Sequence, residues 1–128
     1  MSIELFYLTA VALLTAAIWV PYTLNYIIAG GLMNAVGPHA DIDNMAPWAV
    51  RMKKAHANAI ENLVIFAALV LVVHADGANN DLTAMACMIY FWARVVHLLT
   101  QTFGIPWVRT LAFAAGFGCQ IALGLQIL

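Results

Sequence analysis

The stretch RMKKAHANAIENLVIFAALVLVV, residues 51–73, decides the fold. From Leu63 to Val73 every residue is apolar, whereas the preceding half holds Arg51, Lys53, Lys54, His56, Asn58, Glu61 and Asn62. A helix needs about 20 mainly apolar residues to cross the hydrocarbon of a bilayer. With its flanks, about Pro47 to His74, this segment is long enough, and it takes a charged half into the membrane with it.

Three further runs share its length. Ile3 to Ala29 is broken by Pro21 and Asn25, and a proline in a membrane helix is tolerated as a kink. Leu82 to Thr102 contains Arg94 and His97, and Trp107 to Leu128 completes the set. Between them lie a loop marked by Gly30, Gly31, Gly37 and Pro38 that ends in Asp41-Ile42-Asp43-Asn44, a turn at Asp76, Gly77, Asn79, Asn80 and Asp81, and a short connection at Gly104 and Pro106. The expectation is an all-α integral membrane four-helix bundle, a single transmembrane domain over residues 1–128 with helices at about 3–29, 47–74, 82–102 and 107–128.

Composition agrees. The chain is 65% hydrophobic and 9% charged, whereas soluble domains are roughly half apolar and a quarter charged. A soluble chain this short could not hide so much apolar surface in one core. No internal repeat, low-complexity segment or separate soluble domain is visible. The first residues of the chain include Glu4 and no Lys or Arg, unlike the positive start of a cleaved signal, so the run reads as the first span.

Orientation follows from the Lys/Arg bias. Arg51, Lys53, Lys54 and Arg109 flank the loops after the first and third helices, and the opposite side has no Lys or Arg. Those two loops are therefore expected in the cytoplasm, with both termini on the non-cytoplasmic side of a bacterial inner membrane, or of an endomembrane in a eukaryote.

Ionisable groups within a span are costly and normally face the bundle interior and pair. Arg51, Lys54, Asn58 and Glu61 are spaced 3, 4 and 3, and Tyr90, Arg94, His97 and Gln101 are spaced 4, 3 and 4, so each set shares one helix face. At 1.5 Å per residue Arg94 lies roughly 12 Å in from the cytoplasmic end, level with the polar half of the second helix. Arg109 opens the fourth helix at the same surface. One reading is structural, with Glu61 neutralising Arg94 or Lys54 and tying helices together. The other is a site: positive charge exceeds the single acid Glu61 in that half-membrane, and a surplus facing a cavity suits an anionic ligand.

The remaining residues read more simply. Lys53 and His56 lie off the main face and are expected to snorkel or contact headgroups; His39 and His74 sit at loop edges. Trp19, Tyr22, Tyr26, Trp48 and Trp107 suit anchoring or packing. Ala112 with Gly116, and Gly118 with Ala122, are small-xxx-small pairs for close helix contact, within the bundle or between subunits. Cys87 and Cys119 lie in apolar runs and read as packing residues with no metal-ligand spacing around them. A net charge of −1 offers no basic stripe for nucleic acid.

Three motifs carry a family resemblance. Arg51-Met-Lys-Lys-Ala-His-Ala-Asn58-Ala-Ile-Glu61-Asn, followed by Phe66, resembles the second-helix signature of the MAPEG family, the membrane-associated proteins in eicosanoid and glutathione metabolism. Tyr90-Phe-Trp-Ala-Arg94-Val-Val-His97 resembles its third-helix motif, and Pro106-Trp-Val-Arg109-Thr110 the opening of its fourth helix. The resemblance covers essentially the whole chain. It implies a homotrimer with sites between neighbours in the cytoplasmic leaflet, glutathione as co-substrate, no metal, and a lipophilic small molecule as second substrate. Carried over by position, Arg51, Lys54, Asn58, Glu61, Arg94 and His97, with Tyr90 on the same face, would bind glutathione, and Arg109 would be the catalytic arginine against the thiol. Ala57 stands where some eukaryotic members have arginine, Gln101 where they have tyrosine, Lys54 where arginine is common, and Thr110 where serine is frequent.

The expected function is a glutathione-dependent membrane transferase or peroxidase acting on lipophilic electrophiles, the thiolate being stabilised by an arginine. The alternative is a non-catalytic lipid- or thiol-binding scaffold of the same family. A transporter fits less well, since the chain is short, without an inverted repeat or paired broken helices.

Overall fold

The computed structural model of the chain describes residues 1–31 and 45–128. The loop features expected at Gly37, Pro38 and His39 and the acids Asp41 and Asp43 lie outside the described residues. The helices are α1 (Ile3–Ala17), α2 (Trp19–Gly30), α3 (Pro47–Asp76), α4 (Asp81–Phe103) and α5 (Pro106–Ile127). α1 and α2 are two halves of one span, so four stretches of 28, 30, 23 and 22 residues are long and apolar enough to cross a membrane. At 1.5 Å per residue even the shortest reaches about 33 Å, against a hydrocarbon core of about 30 Å.

The interruption at Ile18 has a local cause. Pro21 has no N–H to give the carbonyl of Ala17, and its ring crowds that carbonyl. Ile18 nonetheless keeps helical angles (φ −61°, ψ −32°), so the break is confined to one residue and the span continues. α3 starts with Pro at its first position, where the missing N–H is an orphan in any case. It stops at Gly77, whose φ of +66° allows Gly77 N–H to reach His74 O and Ala78 N–H to reach Val73 O. α4 opens with a capping box between Asn80 and Thr83.

α4 and α5 share the most extensive contact, α3 packs on both, α1 lies across α3 and α4, and α2 leans on α3. The core lies between α1, α3, α4 and α5 around Val11, Phe66, Val70, Cys87, Cys119 and Leu123. Leu13, Val64, Leu71, Trp92, Leu111 and Leu125 are exposed. That apolar exterior is the surface of an integral, multi-pass membrane protein, whose solvent is lipid. Both cysteines are free and buried, in the packing role expected of them. Of the small residues of α5, Ala112 and Gly116 face inward, with the space beside Gly116 taken by the Tyr90 ring 3.6 Å away, whereas Gly118 faces open space.

Two polar clasps hold α1 and α2. At the opposite end from the charged half of α3, Glu4 is 3% exposed, and its Oε2 accepts from Asn79 Nδ2 at 2.6 Å and Thr83 Oγ1 at 2.8 Å. Asn80 Nδ2 donates to Gln126 Oε1 at 2.9 Å and brings the end of α5 into the same cluster. Nearer the charged end, Asn25 Oδ1 accepts from Ala46 N–H, and the Tyr22 hydroxyl is hydrogen-bonded to His56 Nδ1 at 2.7 Å. His56 therefore ties α2 to α3; the headgroup role expected of it does not hold, because its face of the helix is the one α2 covers.

Glu4→Ala removes the acceptor from two donors at once. The expected outcome is a loss of about 1–3 kcal/mol, read from reversible unfolding in mixed micelles, with helix content unchanged in the native state.

Candidate functional site

α3 enters the bundle from the end where α4 finishes and α5 begins, so the polar half of α3 faces the last turns of α4 and the first of α5. Between them lies a pocket of about 290 Å³ lined by Lys54, Asn58, His97, Gln101, Arg109, Thr110 and Phe113. Its lining is mostly polar, in contrast to the apolar grooves elsewhere on the surface.

Arg94 lies behind this pocket. It is 5% exposed, and its Nη2 donates to Asn58 Oδ1 at 2.8 Å and approaches His97 Nδ1 at 3.5 Å. A guanidinium can only donate, so this contact requires His97 Nδ1 to accept and leaves the imidazole proton on Nε2. Asn58 is held in turn: Asn62 Nδ2 donates to the Asn58 backbone carbonyl at 2.9 Å and reaches Asn58 Oδ1 at 3.4 Å, and Gln120 Nε2 reaches the Asn62 backbone carbonyl at 3.4 Å. The amides thus link α3 with both α4 and α5.

At the mouth, Arg109 Nη1 donates to Gln101 Oε1 at 3.0 Å, which fixes one edge of the guanidinium and leaves four N–H donors unused among the described residues. The Thr110 hydroxyl donates to Pro106 O at 3.0 Å, so its oxygen is left to accept. Phe113 closes one wall, its ring 6.4 Å from that of His97.

Of the residues expected in the site, Lys54, Asn58, His97 and Arg109 line the pocket, and Arg94 supports it from behind. Three stand elsewhere. Tyr90 is 1% exposed, its ring stacked on Phe66 at 3.8 Å and 8°, and its hydroxyl has no well-formed hydrogen bond. Glu61 is exposed on α3. Arg51 Nε donates to the carbonyl of Thr102 at the end of α4. The structural reading of the network, in which Glu61 neutralises Arg94 or Lys54, is not what is found: Arg94 is held by neutral groups, and no ion pair joins these cations to an acid among the described residues. Phe113 was not singled out by the sequence, though it follows Arg109 by four residues and so shares its face. No group of three or more His, Cys, Asp or Glu that could hold a metal occurs among the described residues.

The family model described as the MAPEG family matches residues 3–128, and the chain belongs to that family. Among curated proteins it is similar to microsomal glutathione S-transferase 1 of Mus musculus, at 29% identity over 79 residues, which is 61% of this chain and 51% of the relative. The matched stretch thus spans about half the length of that protein. No solved structure matches the chain.

A buried cation with no counter-ion costs several kcal/mol of desolvation. The hydrogen bonds to Asn58 and His97 offset that cost in the folded chain, so Arg94→Met, which leaves Asn58 Oδ1 without its charged donor, is expected to lose about 1–3 kcal/mol of stability and to abolish the binding of an anionic ligand in the pocket. Unfolding curves and isothermal titration on the same purified variant check the two halves separately.

Proposed function

We propose that the pocket binds glutathione as a thiolate and delivers it to lipophilic electrophiles that arrive through the bilayer. The observation that carries this reading is the cluster of Lys54, Arg94 and Arg109 around one cavity with no carboxylate paired to any of them among the described residues. Glutathione brings two carboxylates, one ammonium and one thiol. Lys54 and the field of Arg94 suit the carboxylates, and the His97 Nε2–H adds a neutral donor. Glu61 suits the ammonium. The membership in the MAPEG family and the likeness to a microsomal glutathione S-transferase support the same substrate.

Arg109 is the residue we assign to the thiol. An adjacent guanidinium lowers a thiol's pKa, and the thiolate is the nucleophile. Gln101 holds Arg109 by one N–H, which leaves the others for sulfur. In a transfer reaction the thiol proton leaves to water, the sulfur attacks the electrophilic carbon, and the leaving group departs with its bonding pair. With a lipid peroxide as acceptor the same thiolate attacks an oxygen of the O–O bond. That bond breaks, the lipid oxygen leaves with the bonding pair and takes a proton to become the alcohol, and a second glutathione thiol displaces water from the sulfenic acid left on the first, giving the disulfide.

The assembly we propose is a homotrimer with the site shared between neighbours. Glu61 and Lys54 are exposed on α3 with no partner among the described residues, and Gly118 presents an open small-residue face on α5. A pocket of about 290 Å³ lies at the lower edge of the roughly 300–1,000 Å³ typical of small-molecule sites, so a neighbouring surface is well placed to complete it. The excess of Arg51, Lys53, Lys54 and Arg109 at the pocket end supports a cytoplasmic position for that end and a non-cytoplasmic one for both termini.

The test is direct. On adding glutathione to the purified protein, thiolate absorbance is expected to rise, with turnover of an activated aryl halide. Arg109→Ala should lower kcat by about 100- to 1,000-fold, the size of losing one stabilising donor at a developing charge. Thiolate and turnover both absent in the wild-type protein would sink the enzyme reading; bound lipid or thiol without chemistry would favour a scaffold.

A further inference from the structure

Arg51 shares a helix face with Lys54 and Asn58, yet it spends its Nε on backbone. α4 ends at Phe103, and Gly104, at φ +74°, turns the chain so that Gly104 N–H meets Gln101 O and Ile105 N–H meets Thr100 O. That arrangement leaves the carbonyl of Thr102 among the orphans of the helix end. Thr102 is 5% exposed, so water is a poor substitute partner. Arg51 Nε, from α3, donates to this carbonyl at 2.9 Å. The guanidinium also lies against Gly104: a Cβ placed there would be 3.4 Å from Nε and 3.6 Å from Cζ. A cation at a helix C-terminus is favoured by the helix dipole as well.

The corner that Arg51 holds is the one that sets the pocket mouth. Pro106 opens α5 immediately after it, and Arg109 N–H bonds back to Ile105 O. Gln101, which holds the Arg109 guanidinium, stands in the last turn of α4 on the other side of the same corner. Both partners of that contact are therefore placed by the connection at Gly104 and Ile105.

We infer that Arg51 is a positioning residue: by clasping the α4–α5 corner it fixes Arg109 against the thiol, instead of gripping the thiol's carboxylates itself. The inference rests on the glutathione reading for its effect on chemistry, but the clasp itself does not.

The experiment compares wild-type protein, Arg51→Ala and Arg51→Lys as full chains in lipid nanodiscs, with Arg51→Gln as the substitute should the alanine variant not fold. Hydrogen–deuterium exchange over residues 100–110, measured without thiol, reads the clasp. Steady-state kinetics and the pH titration of bound thiolate read its consequence. In Arg51→Ala, exchange at the corner is expected to quicken, kcat to fall about 10- to 100-fold, as for a misplaced reacting group, and the thiolate titration to move to higher pH. The KM for glutathione should stay nearly unchanged. Arg51→Lys, which keeps a cationic donor, should recover most of each. A raised KM with kcat, titration and exchange all as in the wild type would make Arg51 a direct ligand and overturn the inference. If wild-type protein forms no thiolate, the glutathione reading fails by itself, and exchange alone decides: quicker exchange supports the clasp, and unchanged exchange overturns it.

Discussion

The structure depends on the way Arg94 is held. A guanidinium inside a membrane helix is expensive, and the usual remedy is a carboxylate beside it. Here the partners are the Asn58 amide at 2.8 Å and the His97 imidazole. A neutral acceptor satisfies an N–H without cancelling the charge, so the positive field survives in the pocket next door. Asn62 Nδ2 also reaches the same amide oxygen at 3.4 Å, and Gln120 donates to the Asn62 backbone carbonyl, so holding this one cation also registers α3 against α4 and α5. A folded chain that merely needed its helices tied together would gain more from a carboxylate at position 58.

The opposite end of the bundle shows the contrast. Glu4 is buried too, but both donors to its Oε2 are present, and Asn80 caps α4 while reaching α5. Hydrogen bonding there is closed on itself, and it gathers the start of the first span, the α3–α4 turn and the end of α5. At the pocket end Lys54 and most of the donors on Arg109 are left over. Among the described residues, hydrogen bonding is thus closed at the Glu4 end, and unpaired positive charge is left at the pocket end, where the proposed thiol would bind. This division is expected when a site must stay receptive at the expense of its own stability.

Much of the fold was legible because lipid imposes the rule: backbone polar groups must be satisfied within the span, and hydropathy therefore marks the helices. The break at Ile18 was foreshadowed by Pro21. In the site, helical spacing correctly grouped Lys54 with Asn58 and Arg94 with His97. Spacing fixes which face a residue is on, however, not what lies opposite it. Tyr90 has the same spacing as Arg94, but one turn further from the pocket end it meets Phe66 on α3 and becomes core. Arg51 and Glu61 sit on the right face of α3, and their partners depend on where α4 ends and how the helices rotate against each other, neither of which one helix encodes. Phe113 lacked any chemical signal; only its distance from Arg109 along α5 could have marked it.

Glu61 is the residue that still requires explanation from the physics. It is a carboxylate about halfway along α3, exposed on the subunit surface, with no Lys, Arg or His paired to it among the described residues. Acyl chains cannot solvate it, and α3 is too long on either side for the side chain to reach a headgroup region easily: fourteen residues separate it from Pro47, or about 21 Å along the axis. It must therefore meet water in a cavity, a cationic group of a ligand, or a neighbouring copy. Each of these places polar matter against the outward side of α3, adjacent to Asn58 and Lys54. The proposed trimer with a shared thiol site meets that demand in one step, because it turns a lipid-facing surface into a pocket wall and gives the carboxylate the ammonium of the bound tripeptide.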